Sequence, residues 1–214
     1  MSEKILVNNQ VTIVGEIISE FEYSHDVFGE KFYTANILVE RLSDSHDVIP
    51  ILVSERLFDT SLDCRGFIAS VSGQFRSYNQ HDGNRSRLVL SVFAREITII
   101  DELPEESSLN HIELIGYPCR EPVYRKTPYG REITDLLLAV NRPYGKSDYI
   151  PCICWGRNAR YAESFRVGEC IKVAGRIQSR EYQKRISETE TETRTAYEVS
   201  VSLLEEYEGD IWQR

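Results

Sequence analysis

Four aromatic residues and four arginines in the second half of the chain have types and spacings that suit one kind of chemistry. In the run Ser147-Asp-Tyr-Ile-Pro-Cys-Ile-Cys-Trp155, an extended backbone places Ile150, Cys152 and Cys154 on one face. Tyr149, Ile153 and Trp155 fall on the other, because strand side chains alternate. The face with both cysteines suits a buried interior, which leaves Tyr149 and Trp155 outside. Further on, Arg176, Arg180 and Tyr182 share the face opposite Ile171 and Val173. Tyr144 follows Asn141-Arg142-Pro143, and Arg157 lies just past Trp155. Flat aromatic plates stack on unpaired bases, and guanidinium groups neutralise phosphates. Together they make a groove for a single-stranded nucleic acid.

Other chemistries find little support. The histidines (His25, His46, His81, His111) are scattered, and neither a Ser/His/Asp set nor a carboxylate pair is readable. The five cysteines (Cys64, Cys119, Cys152, Cys154, Cys170) lack CxxC spacing, and the C-x-C on one strand face is a core pattern. Ordinary reduced thiols are expected, with no catalysis, no metal and no cofactor.

The elements that must carry these residues are revealed by an internal repeat. Asn9-Gln-Val-Thr-Ile-Val-Gly15 matches Asn110-His-Ile-Glu-Leu-Ile-Gly116 at an offset of 101 residues. The same offset pairs Tyr23 with Tyr124, Phe28-Gly29 with Tyr129-Gly130, and Asp47-Val-Ile-Pro50 with Asp148-Tyr-Ile-Pro151. At an offset of 102, Gly66 pairs with Gly168 and Val71-Ser-Gly73 with Val173-Ala-Gly175. The joint is the polar run Asp101–Leu109, which holds Pro104. Ile171, Val173, Gly175 and Ile177 alternate with polar or small residues, as do Tyr197, Val199, Val201 and Leu203, which predicts half-buried strands. One short segment per copy reads as helix, Glu55–Leu62 and Asn158–Phe165. Pro50 and Pro151 must sit where their strands are edge-like or bulged. Five strands with a short helix after the third is the plan of the OB-fold. The expected fold is therefore all-β, with two tandem OB-fold five-stranded barrels. The first spans 1–103 and the second 109–207, followed by a short acidic C-terminal tail at 208–214.

With 41% hydrophobic and 28% charged residues, the chain can bury a core and is not expected to be disordered. No apolar run is long enough for a membrane helix, and Met1–Ile5 has no signal-like pattern, so a cytoplasmic location is expected. The net charge of −9 is unevenly spread. Residues 1–109 carry 9 Lys+Arg against 18 Asp+Glu, whereas residues 110–187 carry 14 basic against 8 acidic ones, a balance of +6. A cationic surface is thus concentrated in the second copy.

The second copy resembles the bacterial single-stranded DNA-binding protein family. The likeness runs over residues 110–204. It is carried by Asn110-x-Ile-x-Leu-Ile-Gly116, Pro122 with Arg125, Thr127-Pro-x-Gly130, Leu138-Ala-Val-Asn-Arg142, Asp148-Tyr-Ile-Pro-Cys-Ile-Cys-Trp155 and Gly175-Arg-Ile-Gln-Ser-Arg180 with Tyr182. The resemblance implies stacking by Tyr144, Tyr149, Trp155 and Tyr182, with Arg142, Arg157, Arg176 and Arg180 on phosphates. The first copy has Ser43, Val48, Ser54 and Gln80 at the aromatic positions, with Phe75 and Tyr78 as partial substitutes, so it is expected to serve structure. What the resemblance implies further is a homodimer presenting four OB-folds, with single-stranded DNA as partner in replication, recombination or repair. Replication or repair proteins are possible partners, no membrane is involved, and the setting is nucleoid-associated. The rival readings are a protein-interaction module of a primosome or mobile element, and an RNA-binding OB protein. The family's long tail ending in Pro-Phe has no counterpart in Glu205–Arg214, so recruitment through such a tail is not expected. The acidic run Ser187–Arg194 is expected to be a solvated hairpin tip.

Overall fold

The computed structural model describes residues 5–43, 45–82, 85–104, 109–185 and 191–213. The first half consists of β1 (Ile5–Leu6), β2 (Asn9–Ile17), β3 (Glu22–Val27), β4 (Glu30–Glu40), β5 (His46–Ser54), β6 (Ile68–Asp82) and β7 (Arg85–Ile100). Strand β2 pairs with β6 and with β4, β4 pairs with β5, β5 runs parallel to β7, and β7 pairs with β6. These five pairings close a ring. The second half repeats the plan with β8 (Asn110–Pro118), β9 (Val123–Lys126), β10 (Glu132–Arg142), β11 (Lys146–Trp155), β12 (Ile171–Arg185) and β13 (Thr191–Glu206). Here β8, β10, β11, β13 and β12 close the ring in the same order. β3 and β9 extend β4 and β10 outward.

Closure depends on where bulk is absent. A Cβ on Gly15 would lie 2.1 Å from the Leu38 carbonyl oxygen, and one on Gly116 2.5 Å from that of Ala139. These are the points where β2 and β8 bend across to meet β4 and β10, so only glycine lets the two backbones approach. Inside each ring the alternating residues form the core: Ile13, Ile37, Ile49, Ile51 and Phe75 in the first, and Leu114, Leu136, Leu138, Ile150 and Cys154 in the second, all at most 1% exposed.

The rings join through one antiparallel pairing, β2 against β8, in which Asn9 faces Leu114 and Ile13 faces Asn110. Because Asn9 corresponds to Asn110 and Ile13 to Leu114, this register has a near-twofold axis at Val11 and Ile112. The polar contacts obey it. The Asn9 amide exchanges two 2.8 Å hydrogen bonds with the Phe75 backbone, and Asn110 does the same with Ile177 at 2.8 and 2.9 Å. Across the axis, Asp47 accepts from the Ser179 backbone N–H and Asp148 from that of Ser77.

Four expectations need correction. The segment at Glu55–Leu62 is a series of turns, not a helix, because side chains capture its amides: Ser54 Oγ accepts from Arg56 N, and Asp59 from Ser61 N and Oγ. Its counterpart does form α1 (Arg157–Ala162), which buries Ala159 and Ala162. The alternation in β13 changes phase at a bulge opposite Ala174/Gly175, so Leu203 is exposed and Leu204 faces inward. The final segment is not a free tail, since β14 (Trp212–Gln213) pairs with β1. The tip of the β12–β13 hairpin lies outside the described residues, and Thr191–Arg194 belongs to β13 itself. Pro50 and Pro151 sit as expected: each faces a partner on one side only, Asn36 and Leu137, just before the parallel pairing begins.

Candidate nucleic-acid interface

The outer face of the second ring is built by β10, β11, β13 and β12 side by side. Ile153 aligns with Ser200, and Ser200 with Arg176, so the outward residues of all these strands share one surface. Tyr149 and Trp155 stand on it 45% and 38% exposed. They lie six residue steps apart along the strand, about 20 Å at roughly 3.3 Å per residue. Tyr144 occupies a single tight turn, Pro143–Gly145, between β10 and β11, with φ +64° and its side chain fully exposed. Tyr182 faces Arg194 on the β12–β13 hairpin. It lines an open cleft of about 330 Å³ with Pro151, Lys184, Ala196 and Leu88 of the first ring. All four aromatics thus lie at least partly exposed, Tyr144 in the turn between β10 and β11 and Tyr182 on the β12–β13 hairpin.

The arginines divide. Arg180 is exposed, and among the described residues its one ion-pair contact is a loose 4.0 Å approach to Glu198. Arg157, at the start of α1, is also exposed and forms no ion pair among the described residues. Arg176 and Arg142, by contrast, are tied into the seam between the rings. Asp47, wholly buried, accepts from Arg41 Nε at 2.7 Å, from Arg176 Nη1 at 3.0 Å and from Ser179 N at 2.6 Å. Arg142 Nη1 lies 3.4 Å from Asp148 Oδ1, a longer and weaker contact. Arg176 thus presents part of its guanidinium to solvent while anchoring one ring to the other.

The two buried carboxylates differ in their surroundings. Asp148 Oδ2 has no hydrogen-bond partner among the described residues, and burial pushes the carboxyl above its usual range, against the lowering effect of Ser77 N, Arg142 and Arg76. A carboxyl whose folded pKa is raised binds more protons folded than unfolded. Its contribution to stability is therefore greatest on the acid side and falls as pH climbs from the ordinary aspartate range through the raised value. Thermal melts across that range should show this decline in the wild type and a flatter profile for Asp148→Asn; identical profiles would remove Asp148 from the account. Burial also pushes the Cys154 thiol up to about 12 and Cys152 well above its ordinary value, so both remain neutral core groups.

Sequence reasoning undervalued some neighbours. Trp155 forms an open depression of about 430 Å³ with Thr127, Tyr129 and Arg131, so the β9–β10 turn extends its surface. The signal was the Thr127-Pro-x-Gly130 turn, which sets Tyr129 out from the barrel. In the first ring, Ser54 Oγ donates to Glu30, and Phe75 is fully buried, which removes it as a surface aromatic. Tyr78 remains, half exposed.

Comparison with known proteins agrees with this geometry. Residues 109–205 match the model of the single-strand binding protein family. The second ring is thus similar in sequence to the domain that this family model describes. Relatives include the single-stranded DNA-binding protein of Oceanobacillus iheyensis, 34% identical over 104 residues, which cover 45% of this chain and 64% of the relative. Single-stranded DNA-binding protein A of Bacillus subtilis is 32% identical over 108 residues, covering 47% and 62%. The chain thus spans less than two thirds of the length of these curated relatives. The solved wild-type single-stranded DNA binding protein from Thermus aquaticus superposes with a TM-score of 0.74 at 20% identity, covering 98% of this chain and 96% of that one. That likeness concerns the fold, and it extends over both rings.

Proposed function

We propose that this protein binds single-stranded DNA without strong sequence preference, in replication, recombination or repair, through the outer face of the second ring. The observation that carries the reading is the placement of Tyr149, Trp155 and Tyr182, each partly exposed, on the outward side of one family-type domain, with Arg180 and Arg157 unburied beside them. Each ring is read as an OB-fold, 1–103 and 109–207, with the first as scaffold. Bases stack on the tyrosines and the tryptophan, and Arg142, Arg157, Arg176 and Arg180 meet phosphates. Two chains associate as a C2 homodimer with four OB-folds, the commonest closed symmetry, and act in the cytoplasm on nucleoid DNA.

Titration of the full chain with oligo-dT, oligo-U and duplex DNA tests the reading. Tight binding to oligo-dT alone is expected; preference for oligo-U would make it an RNA binder, and silence with all three an interaction module. Trp155 supplies a direct readout. Its fluorescence should be quenched as oligo-dT binds, and Trp155→Ala should cost about 1–3 kcal/mol of affinity. An unchanged affinity with an intact fold would remove Trp155 from the strand path.

A further inference from the structure

The first half of the chain is acidic overall, yet it brings arginines to one point on the seam. Arg76 of β6 and Arg95 of β7 share one aromatic ring: their guanidinium carbons lie 3.9 and 5.3 Å from the centroid of Phe93. Arg95 is there because of the fold. Gly73 pairs with Ala94 but Ser72 with Glu96, so Arg95 is the extra residue of a bulge, a device that redirects a side chain. Arg76 precedes Ser77, whose N–H donates to Asp148 Oδ1 at 2.8 Å, and Arg142 reaches the same oxygen at 3.4 Å. Ser77 Oγ in turn accepts from Tyr149 N at 2.7 Å, so this cluster borders the proposed stacking surface.

The cluster is short of negative charge. Arg76 Nη2 donates to Gln74 at 2.7 Å, but its buried Nε has no hydrogen-bond partner among the described residues. Burial, then Arg142 and Arg95, bring the Arg76 guanidinium down to about 10, with Asp148 the one carboxylate acting against them. The near-twofold mate of this place is different. Position 76 corresponds to Gln178, which is bonded to Glu198 and Arg176, and the bulge residue there is Ser202. There Arg41 and Arg176 are both paired with Asp47. Among the described residues, one side of the seam holds cations beyond what its carboxylate can satisfy and the other does not, and charge-assisted bonds to an anion would complete them.

We propose that Arg76, Arg95 and Arg142 form a phosphate-binding site on the seam, which takes a phosphodiester of the strand lying on Tyr149. The inference rests on the single-strand reading above and gives the acidic half a part in binding. Arg95 is exposed, so Arg95→Gln and Arg95→Glu leave the core untouched; Arg76→Gln is the second probe. Two measurements on the full chain are paired. In oligo-dT titrations at increasing salt, Arg95→Gln should make the slope of log K against log salt shallower by about 0.7, the value of one phosphate on a single strand. In thermal melts, inorganic phosphate should raise the Tm of the wild type over chloride at equal ionic strength, and Arg95→Glu should abolish that rise. A change in slope without a phosphate-dependent Tm supports the site and assigns it to the strand alone. A Tm effect without a change in slope overturns the strand assignment in favour of free phosphate, and variants unchanged in both measurements overturn the site altogether. If the wild type fails to bind oligo-dT, the single-strand reading falls, while an Arg95-dependent phosphate effect still shows the anion site.

Discussion

Replacing Tyr144, Tyr149 and Trp155 together by alanine should abolish measurable binding to oligo-dT while leaving the fold intact. Each base–aromatic stack is worth about 1–3 kcal/mol, so three lost stacks correspond to a weakening of at least a hundredfold and as much as a millionfold. None of the three side chains belongs to the core, and the Tyr149 contact that crosses the seam is made by its backbone N–H, which the substitution retains. Circular dichroism melts should therefore overlay those of the wild type. The matched control is Tyr78→Ala, which removes a half-exposed aromatic of the first ring and should leave affinity within a factor of about two. Residual tight binding by the triple variant, or an equal loss on removing Tyr78, would break the assignment of the strand to the second ring.

The largest effect on stability should come from Asp47→Ala. That carboxylate is wholly buried and accepts from Arg41, Arg176 and the Ser179 backbone, so its removal leaves two guanidinium groups and an amide without their acceptor. Breaking a buried pair in this way costs about 3–5 kcal/mol. In a chain of this size about 2–4 °C of Tm accompanies each kcal/mol, so the midpoint should fall by about 6–20 °C. The contacts run from the first ring to the second, and the variant should therefore lose the cooperativity between them as well as overall stability. A melt indistinguishable from the wild type would mean that the seam is held by β2–β8 pairing alone.

How much of this was legible in the sequence depends on the range of the interactions involved. Alternation in β11 assigned Ile150, Cys152 and Cys154 to the interior and Tyr149 and Trp155 to the surface, because strand geometry is local. The matched glycines Gly15 and Gly116 pointed to equivalent places in the two copies, and both mark ring closure. Errors arose where a side chain or a distant segment decided the outcome. Leu57, Phe58 and Leu62 have helical spacing, but Ser54 and Asp59 take the amides that a helix needs. The phase change at Leu203 follows from a bulge that alternation cannot show. The bond between Arg176 and Asp47, 129 residues away in the other ring, is one that no local pattern shows. The two-residue pairing of Trp212–Gln213 with Ile5–Leu6 is too short to leave a period.

The near-twofold axis at Val11 and Ile112 has a consequence for how such a chain can change. In a symmetric pair of identical subunits, every substitution near the axis occurs twice and must tolerate its own copy. An arginine introduced there would face a second arginine. When both halves are encoded in one polypeptide, each side of the axis mutates alone, and a gain on one side can be met by a compensating residue on the other. Arg76 opposite in role to Gln178, Arg95 to Ser202, and a loosely held Asp148 to a fully bonded Asp47 are differences that such independence permits. Covalent fusion thereby converts a duplicated fold into an obligate pair of unlike partners, free to divide work that a homodimer must duplicate.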